Sequence, residues 1–102
     1  SKMIEKIMDN EKIDFCVESV TNYMFFGFLE SIEHNTLSPN FDFKNFEDRI
    51  VNLSVVACQN SFFKKMSQDE LKICQNLAKT KWQILENRLK SKLLEKYKMD
   101  LS

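Results

Sequence analysis

Glycine and proline are almost absent from this chain, with one of each in 102 residues. An all-β fold needs many tight turns, and tight turns depend on glycine, proline and asparagine. Phosphate-binding loops need clustered glycines, whereas Gly27 stands alone. No apolar run approaches the roughly 18 residues of a membrane-spanning helix. These absences exclude all-β folds, glycine-rich phosphate sites and a membrane span, and they favour long helices with few connections.

The chain also lacks net charge, because 15 lysines and arginines balance 15 aspartates and glutamates. A dedicated nucleic-acid-binding domain is usually basic, so this balance counts against one. The charges are nevertheless unevenly distributed: residues 1–49 hold five cations and ten acids, whereas residues 79–102 hold seven cations and three acids. An acidic front and a basic tail can attract each other within one chain or between two antiparallel chains.

Side chains typical of metal or nucleophile sites are few, with three cysteines and one histidine. Cys16, Cys58 and Cys74 have apolar neighbours and form no CxxC pair, which predicts buried free thiols, no disulfides and an intracellular location, cytoplasmic or nuclear. A metal site that includes His34 fails on distance, because Cys16 and His34 would lie roughly 27 Å apart on one straight helix. Without glycine-rich loops or HExxH and GxSxG motifs, we expect no metal, no cofactor, no catalytic residue and no enzymatic activity.

Apolar residues recur at helical spacing along three segments, and each segment predicts one main helix. The predicted helices cover about 11–34, 43–65 and 68–98. A shorter run at 3–8 predicts either an additional N-terminal helix or the beginning of the first one. The whole chain, 1–102, is therefore expected to form one all-α domain, a bundle of three main helices.

The start of the third helix has the clearest local signal. Ser67 and Glu70 have the spacing of a capping box, in which a serine hydroxyl and a glutamate satisfy each other's backbone N–H groups. Met66 and Leu71 have the spacing of the hydrophobic staple that often accompanies such a box. Both features predict that this helix begins at residue 68.

Two other local features concern the first two helices. Gly27 interrupts an apolar part of the first helix, and we expect it at a close helix crossing, because a missing Cβ lets two backbones approach. Asn40 and Asp42 are alternative caps for the second helix, and Pro39 also suits a first-turn position. The sequence leaves the choice among these caps open.

The functional prediction rests on the relative lengths of the predicted helices. The third predicted helix is roughly 46 Å long and the first roughly 36 Å, so the third extends beyond its neighbour. Its apolar stripe continues into the overhang, and an uncovered apolar stripe is unfavourable in water. We therefore expect a protein–protein interaction or oligomerisation module, in its simplest form a homodimer. The expected interface combines this stripe with aromatic residues of the first two helices: Phe25, Phe63, Trp82, Leu89, Leu93, Leu94 and Tyr97.

The alternative hypothesis is a helical module that binds nucleic acid through its basic tail. Its expected contacts are Lys79, Lys81, Arg88, Lys90, Lys92, Lys96 and Lys98. Trp82 and Tyr97 lie among these cations, and aromatic rings can stack on bases. A solvated cationic face that complements the helix dipole explains the same residues without a ligand. The sequence therefore favours the protein-interaction hypothesis.

Overall fold

The chain folds into three helices that all pack against one another. The structure is a computed structural model, and it describes residues 1–62 and 65–101, with side chains described up to residue 98. The helices are α1 (Lys2–Glu33), α2 (Phe43–Ser61) and α3 (Gln68–Leu101). The described residues contain no strand, and the bundle measures 61 × 18 × 18 Å. The predicted all-α bundle of three main helices is confirmed.

Helix α1 is one continuous helix, so the run at 3–8 is its beginning and its start moves from residue 11 to residue 2. The Ser1 hydroxyl caps it by accepting a hydrogen bond from the Ile4 N–H at 3.3 Å. Asp9 and Asn10 do not interrupt it, because each weakens a helix interior only slightly. With 32 residues, α1 is roughly 48 Å long, close to the roughly 51 Å of the 34-residue α3.

Helix α2 is shorter than predicted, because it ends at Ser61 and not at residue 65. Its N-cap is Asp42, whose carboxylate accepts hydrogen bonds from the N–H groups of Lys44 at 3.1 Å and Asn45 at 3.4 Å. Of the three alternatives that the sequence left open, Asp42 is therefore the residue that caps α2. At 19 residues, α2 is roughly 28 Å long, little more than half the length of its two neighbours.

Helix α3 begins at Gln68, as the capping box predicted. The Ser67 N–H donates to Glu70 Oε1 at 2.8 Å, and the Glu70 N–H donates to Ser67 Oγ at 3.1 Å. Both hydrogen bonds of the box are therefore formed. The helix continues three residues beyond its predicted end, to Leu101.

Replacing the serine of this box should destabilise the bundle. We expect Ser67→Ala to lower the free energy of unfolding by about 1 kcal/mol, because the Glu70 N–H loses its acceptor. Ser91→Ala, an exposed position inside the same helix, is the control, and it should cause no loss because alanine favours helix. Thermal denaturation followed by circular dichroism measures both. Equal melting temperatures for Ser67→Ala and the wild type would contradict a stabilising role for the box.

The core consists of two clusters that follow each other along the bundle. The thiol cluster contains Ile13, Cys16, Val17, Val51, Cys58, Cys74 and Ala78. The aromatic cluster contains Ile32, Phe43, Ile50, Trp82, Leu89 and Leu93. The Phe28 ring joins this second cluster, with centroids 5.1–5.9 Å from the rings of Phe41, Phe43, Phe46 and Trp82. Most of the chain's phenylalanines therefore pack at one end of the bundle.

Helices α1 and α3 run parallel, and lysines of α3 bind acidic side chains and backbone carbonyls of α1. Lys81 Nζ lies 2.9 Å from Asp14 Oδ1 and 3.6 Å from Glu18 Oε2. Lys96 Nζ donates to the carbonyl oxygen of Ile32 at 2.6 Å, in the last turn of α1, where a cation complements the helix dipole. The acidic front and the basic tail therefore meet within one chain.

Gly27 does not lie at a helix crossing, so that prediction is wrong. The residue is exposed, and no atom outside its own helix lies within 4 Å of the place where its Cβ would be. The close approach that the glycine would permit is therefore not used within the chain. Gly27 instead leaves open space on the outer side of α1.

Candidate interaction surface

An apolar surface covers the solvent side of α1. We call it the outer face; its members, each more than half exposed, are Met3, Ile4, Ile7, Met8, Phe15, Tyr23 and Phe26. At 3.6 residues per turn, Ile4, Met8, Phe15 and Phe26 lie within an arc of about 40°. The fully buried Ile13 lies on the opposite side of the helix. Helix α1 is thus apolar on two sides, and the bundle covers only one of them.

The short α2 leaves the beginning of α1 without a neighbour on one side. Phe62, the residue after α2, packs edge-on against Phe15, with ring centroids 6.3 Å apart. Lys12 Nζ lies 5.9 Å from the centroid of the Phe62 ring. Because α2 ends at this level, the first two turns of α1 extend past it.

These first turns present their polar side to the bundle. Glu5, Lys6 and Asp9 line a shallow concavity together with Asp69 and Glu70 at the start of α3. The four apolar residues of the same segment belong to the outer face and are exposed. An amphipathic helix that packed only within its own chain would have the opposite orientation. The N-terminal turns of α1 therefore leave their apolar side uncovered by the bundle.

The structure corrects the placement of three residues that the sequence assigned to a partner interface. Trp82, Leu89 and Leu93 are buried in the aromatic cluster of the chain itself. The expected overhang of α3 is covered, because the last turn of α1 reaches Lys96 and the segment around Leu37 and Phe41 packs against the same cluster. These three side chains stabilise the bundle and offer no surface to a partner in this conformation.

The other predicted interface residues do not form one surface. Leu94 is 59% exposed on α3, whereas Tyr97 is half-buried and its hydroxyl donates to the Leu37 carbonyl at 3.4 Å. Phe25 is also half-buried, and its ring lies 5.7 Å from that of Phe26. Phe63 lies outside the described residues. Among the described members of this set, Phe25 alone adjoins the outer face.

The seven cations of the alternative hypothesis are also dispersed. Lys81 and Lys96 are engaged with α1 inside the chain. The exposed members are Lys79, Arg88, Lys90, Lys92 and Lys98. Lys90 and Lys92 lie on nearly opposite sides of α3, roughly 200° apart. The tail therefore lacks the continuous basic strip that would follow a nucleic-acid backbone.

The three cysteines carry free thiols and lie in the core, one on each helix. Cys58 Sγ and Cys74 Sγ are 3.8 Å apart. Burial raises the pKa of the Cys58 and Cys74 thiols, so neither supplies a thiolate at neutral pH. Among the described residues, no group of three or more His, Cys, Asp or Glu could hold a metal ion. No helix in the described part of the chain is long and apolar enough to cross a membrane.

Sequence periodicity did not single out the outer face. Its central residues Ile4, Phe15 and Phe26 recur every eleven residues, which is just over three helical turns. An eleven-residue repeat on the side of the helix opposite Ile13 is the signal that could have identified the outer face as a second apolar stripe.

Comparison with known proteins gives no match: no family model matches the chain, and no curated protein or solved structure is significantly similar to it. Its function must therefore be argued from the chemistry and geometry of its own surface. Among the described residues, the outer face of α1 contains seven of the twelve exposed large hydrophobic side chains.

Proposed function

We propose that this protein is a non-enzymatic oligomerisation module, in which the outer face of α1 associates with the same face of a second copy. The observation that carries the proposal is the exposure of seven large apolar side chains on α1, four of which lie within an arc of about 40°. Exposed apolar patches of this extent in a folded domain mark interaction surfaces. Isologous dimers use one patch on both copies, so a single face is sufficient.

The area of the outer face suits a dimer interface. Its three aromatic side chains alone expose roughly 300–500 Å², since a whole aromatic side chain buries about 150–250 Å². A standard interface takes about 800 Å² from each partner, of which roughly 450–500 Å² is apolar. The four aliphatic side chains of the face add to the aromatic area. One copy therefore supplies the apolar surface that such an interface needs.

The composition of the face is also that of an interface centre. Between residues 4 and 26, the other positions on this arc or within about 20° of it hold Glu11, Ser19 and Asn22. Only one of these is charged, and charged residues are depleted at the centres of interfaces. Phenylalanine and tyrosine are suited to anchoring such contacts, because they bury much area with few rotatable bonds.

Light scattering coupled to size-exclusion chromatography tests the proposal. We expect the wild-type chain to have twice the 12.1 kDa mass of one copy. Phe15→Asp, at a position 64% exposed, should give the monomer mass with unchanged helix content. Ile84→Asp is the matched control: this residue is 56% exposed on α3, and the variant should remain a dimer.

Two results would overturn the proposal. The first is a wild-type chain that is monomeric at micromolar to sub-millimolar concentration. The second is a dimer that Ile84→Asp disrupts and Phe15→Asp does not. A monomer that binds a single-stranded oligonucleotide with steep salt dependence, and loses binding in Lys90→Glu with Lys92→Glu, would favour the nucleic-acid hypothesis instead.

A further inference from the structure

We infer that the two copies pair antiparallel along α1, with the two Phe15 side chains meeting at the two-fold axis and Ile4 of each copy opposite Phe26 of the other. This inference rests on the proposed function, because it assigns the direction and register of the same interface. It therefore identifies a second copy of this chain as the partner that covers the outer face.

The spacing of the outer face gives the register. Ile4 precedes Phe15 by eleven residues, and Phe26 follows it by eleven. The three residues are 59%, 64% and 62% exposed, so each offers comparable free surface. In an antiparallel pair centred on Phe15, residues equally far before and after it lie at the same height. Ile4 then packs on Phe26 at both ends of the dimer. Because both copies use the same patch, the interface is isologous and the assembly stops at two copies.

The charge of α1 selects the antiparallel direction. The part of α1 before Phe15 carries three lysines and four acids, a net charge of −1, whereas the part after it carries only the acids Glu18, Glu30 and Glu33, a net charge of −3. A parallel pair would place the two acidic halves side by side, and it would also align the two helix dipoles. An antiparallel pair places the acidic half of each copy beside the lysine-bearing half of the other.

The ends of the bundle fit this direction as well. The first two turns of α1 extend past α2 with their apolar side exposed. In the antiparallel register they lie beside the partner's residues 23–29, where the bundle has all three helices. That segment includes Gly27, where nothing lies within 4 Å of the absent Cβ, and a concavity bordered by Tyr23, Phe26 and Glu30.

Disulfide cross-linking of variants that each carry one added cysteine tests the register. Ile4→Cys and Phe26→Cys are incubated separately and as a mixture in a glutathione redox buffer, where each new disulfide reduces one oxidised glutathione to two reduced molecules. A disulfide requires Cα atoms within about 7 Å. We expect a covalent dimer in the mixture, with mass spectrometry showing one copy of each variant, and no cross-link when either variant is alone. The wild type, whose three thiols are buried, is the control.

A second pair of substitutions gives a readout without cross-linking. We expect Ile4→Lys and Phe26→Glu each to weaken the dimer, because each places a charge against an apolar side chain. The double variant should dimerise about tenfold more tightly than the two separate losses predict, because each introduced lysine then faces an introduced glutamate.

The failures of the two proposals are distinguishable. A monomeric wild type by light scattering overturns the proposed function. A dimer in which Ile4→Cys cross-links by itself overturns the antiparallel direction, since like positions then meet. A dimer with no cross-link in the mixture, and with no recovery in the double variant, overturns the register.

Discussion

Leu89→Asp is expected to unfold the domain at room temperature. Leu89 is fully buried in the aromatic cluster, beside residues such as Trp82 and Ile32. A carboxylate at this position would be buried without a partner, and an uncompensated buried charge costs about 3–5 kcal/mol. The lost leucine packing adds about 2–5 kcal/mol. Because small domains are stable by only about 5–15 kcal/mol, this loss removes most or all of the stability.

Leu94→Asp is the matched control for this prediction. Leu94 is on the same helix, five residues further along, and it is exposed. A surface substitution of this kind usually changes stability by less than about 0.5 kcal/mol. Urea denaturation of both variants, followed by far-ultraviolet circular dichroism, measures the difference. If Leu89→Asp stayed folded and lost only self-association, the apolar stripe of α3 would be the interface after all.

The two leucines show where sequence reasoning about α3 succeeded and where it failed. Apolar spacing predicted the helix, and the box of Ser67 and Glu70 predicted its first residue, because both signals are local. Whether the end of the stripe is covered depends on how α1 and the connection to α2 are aligned with α3, which is a tertiary property. The last turn of α1 lies beside Lys96 of α3, and residues of the connection to α2 pack on the same cluster, so the expected overhang disappears.

The outer face was missed for a related physical reason. The run at 3–8 has helical spacing, but spacing alone does not tell which side of a helix the bundle covers. Two stripes run along α1, one through Ile13 and Val17 and the other through Phe15 and Phe26. The first is fully covered, because α2 and α3 both reach it, and the second remains free. A sequence can therefore reveal a helix with two apolar sides, whereas packing decides which one is available to a partner.

The distribution of charge followed one of the two predicted alternatives. The acidic front and the basic tail could attract each other within a chain or between chains. Lys81 and Lys96 reach α1 of their own chain, so part of the attraction is satisfied internally. In the proposed dimer, affinity would then come from apolar contact, and charge would act on direction. This division is consistent with the general role of electrostatics in fixing orientation more than affinity.

Trp82→Ala is expected to cost about 3–5 kcal/mol of stability, the usual loss for a buried tryptophan. Trp82 is the largest fully buried side chain of the described residues. Its ring centroid lies 5.9 Å from that of Phe28 and 6.2 Å from that of Phe46, so its removal opens a cavity within the aromatic cluster. For a domain of this size, such a loss lowers the melting temperature by more than about 12 °C.

Trp82→Phe separates packing from hydrogen bonding at the same position. Trp82 Nε1 is buried and donates no hydrogen bond to any described atom, so phenylalanine removes an unsatisfied donor while it keeps most of the apolar contact. We expect a loss of about 1–2 kcal/mol, less than half of that for Trp82→Ala. Both changes are best measured in the Phe15→Asp background, because self-association would otherwise add to apparent stability. If Trp82→Ala melted within a few degrees of its parent there, Trp82 would be available to a partner, as the sequence first indicated, and the aromatic cluster would not be what holds the three helices together.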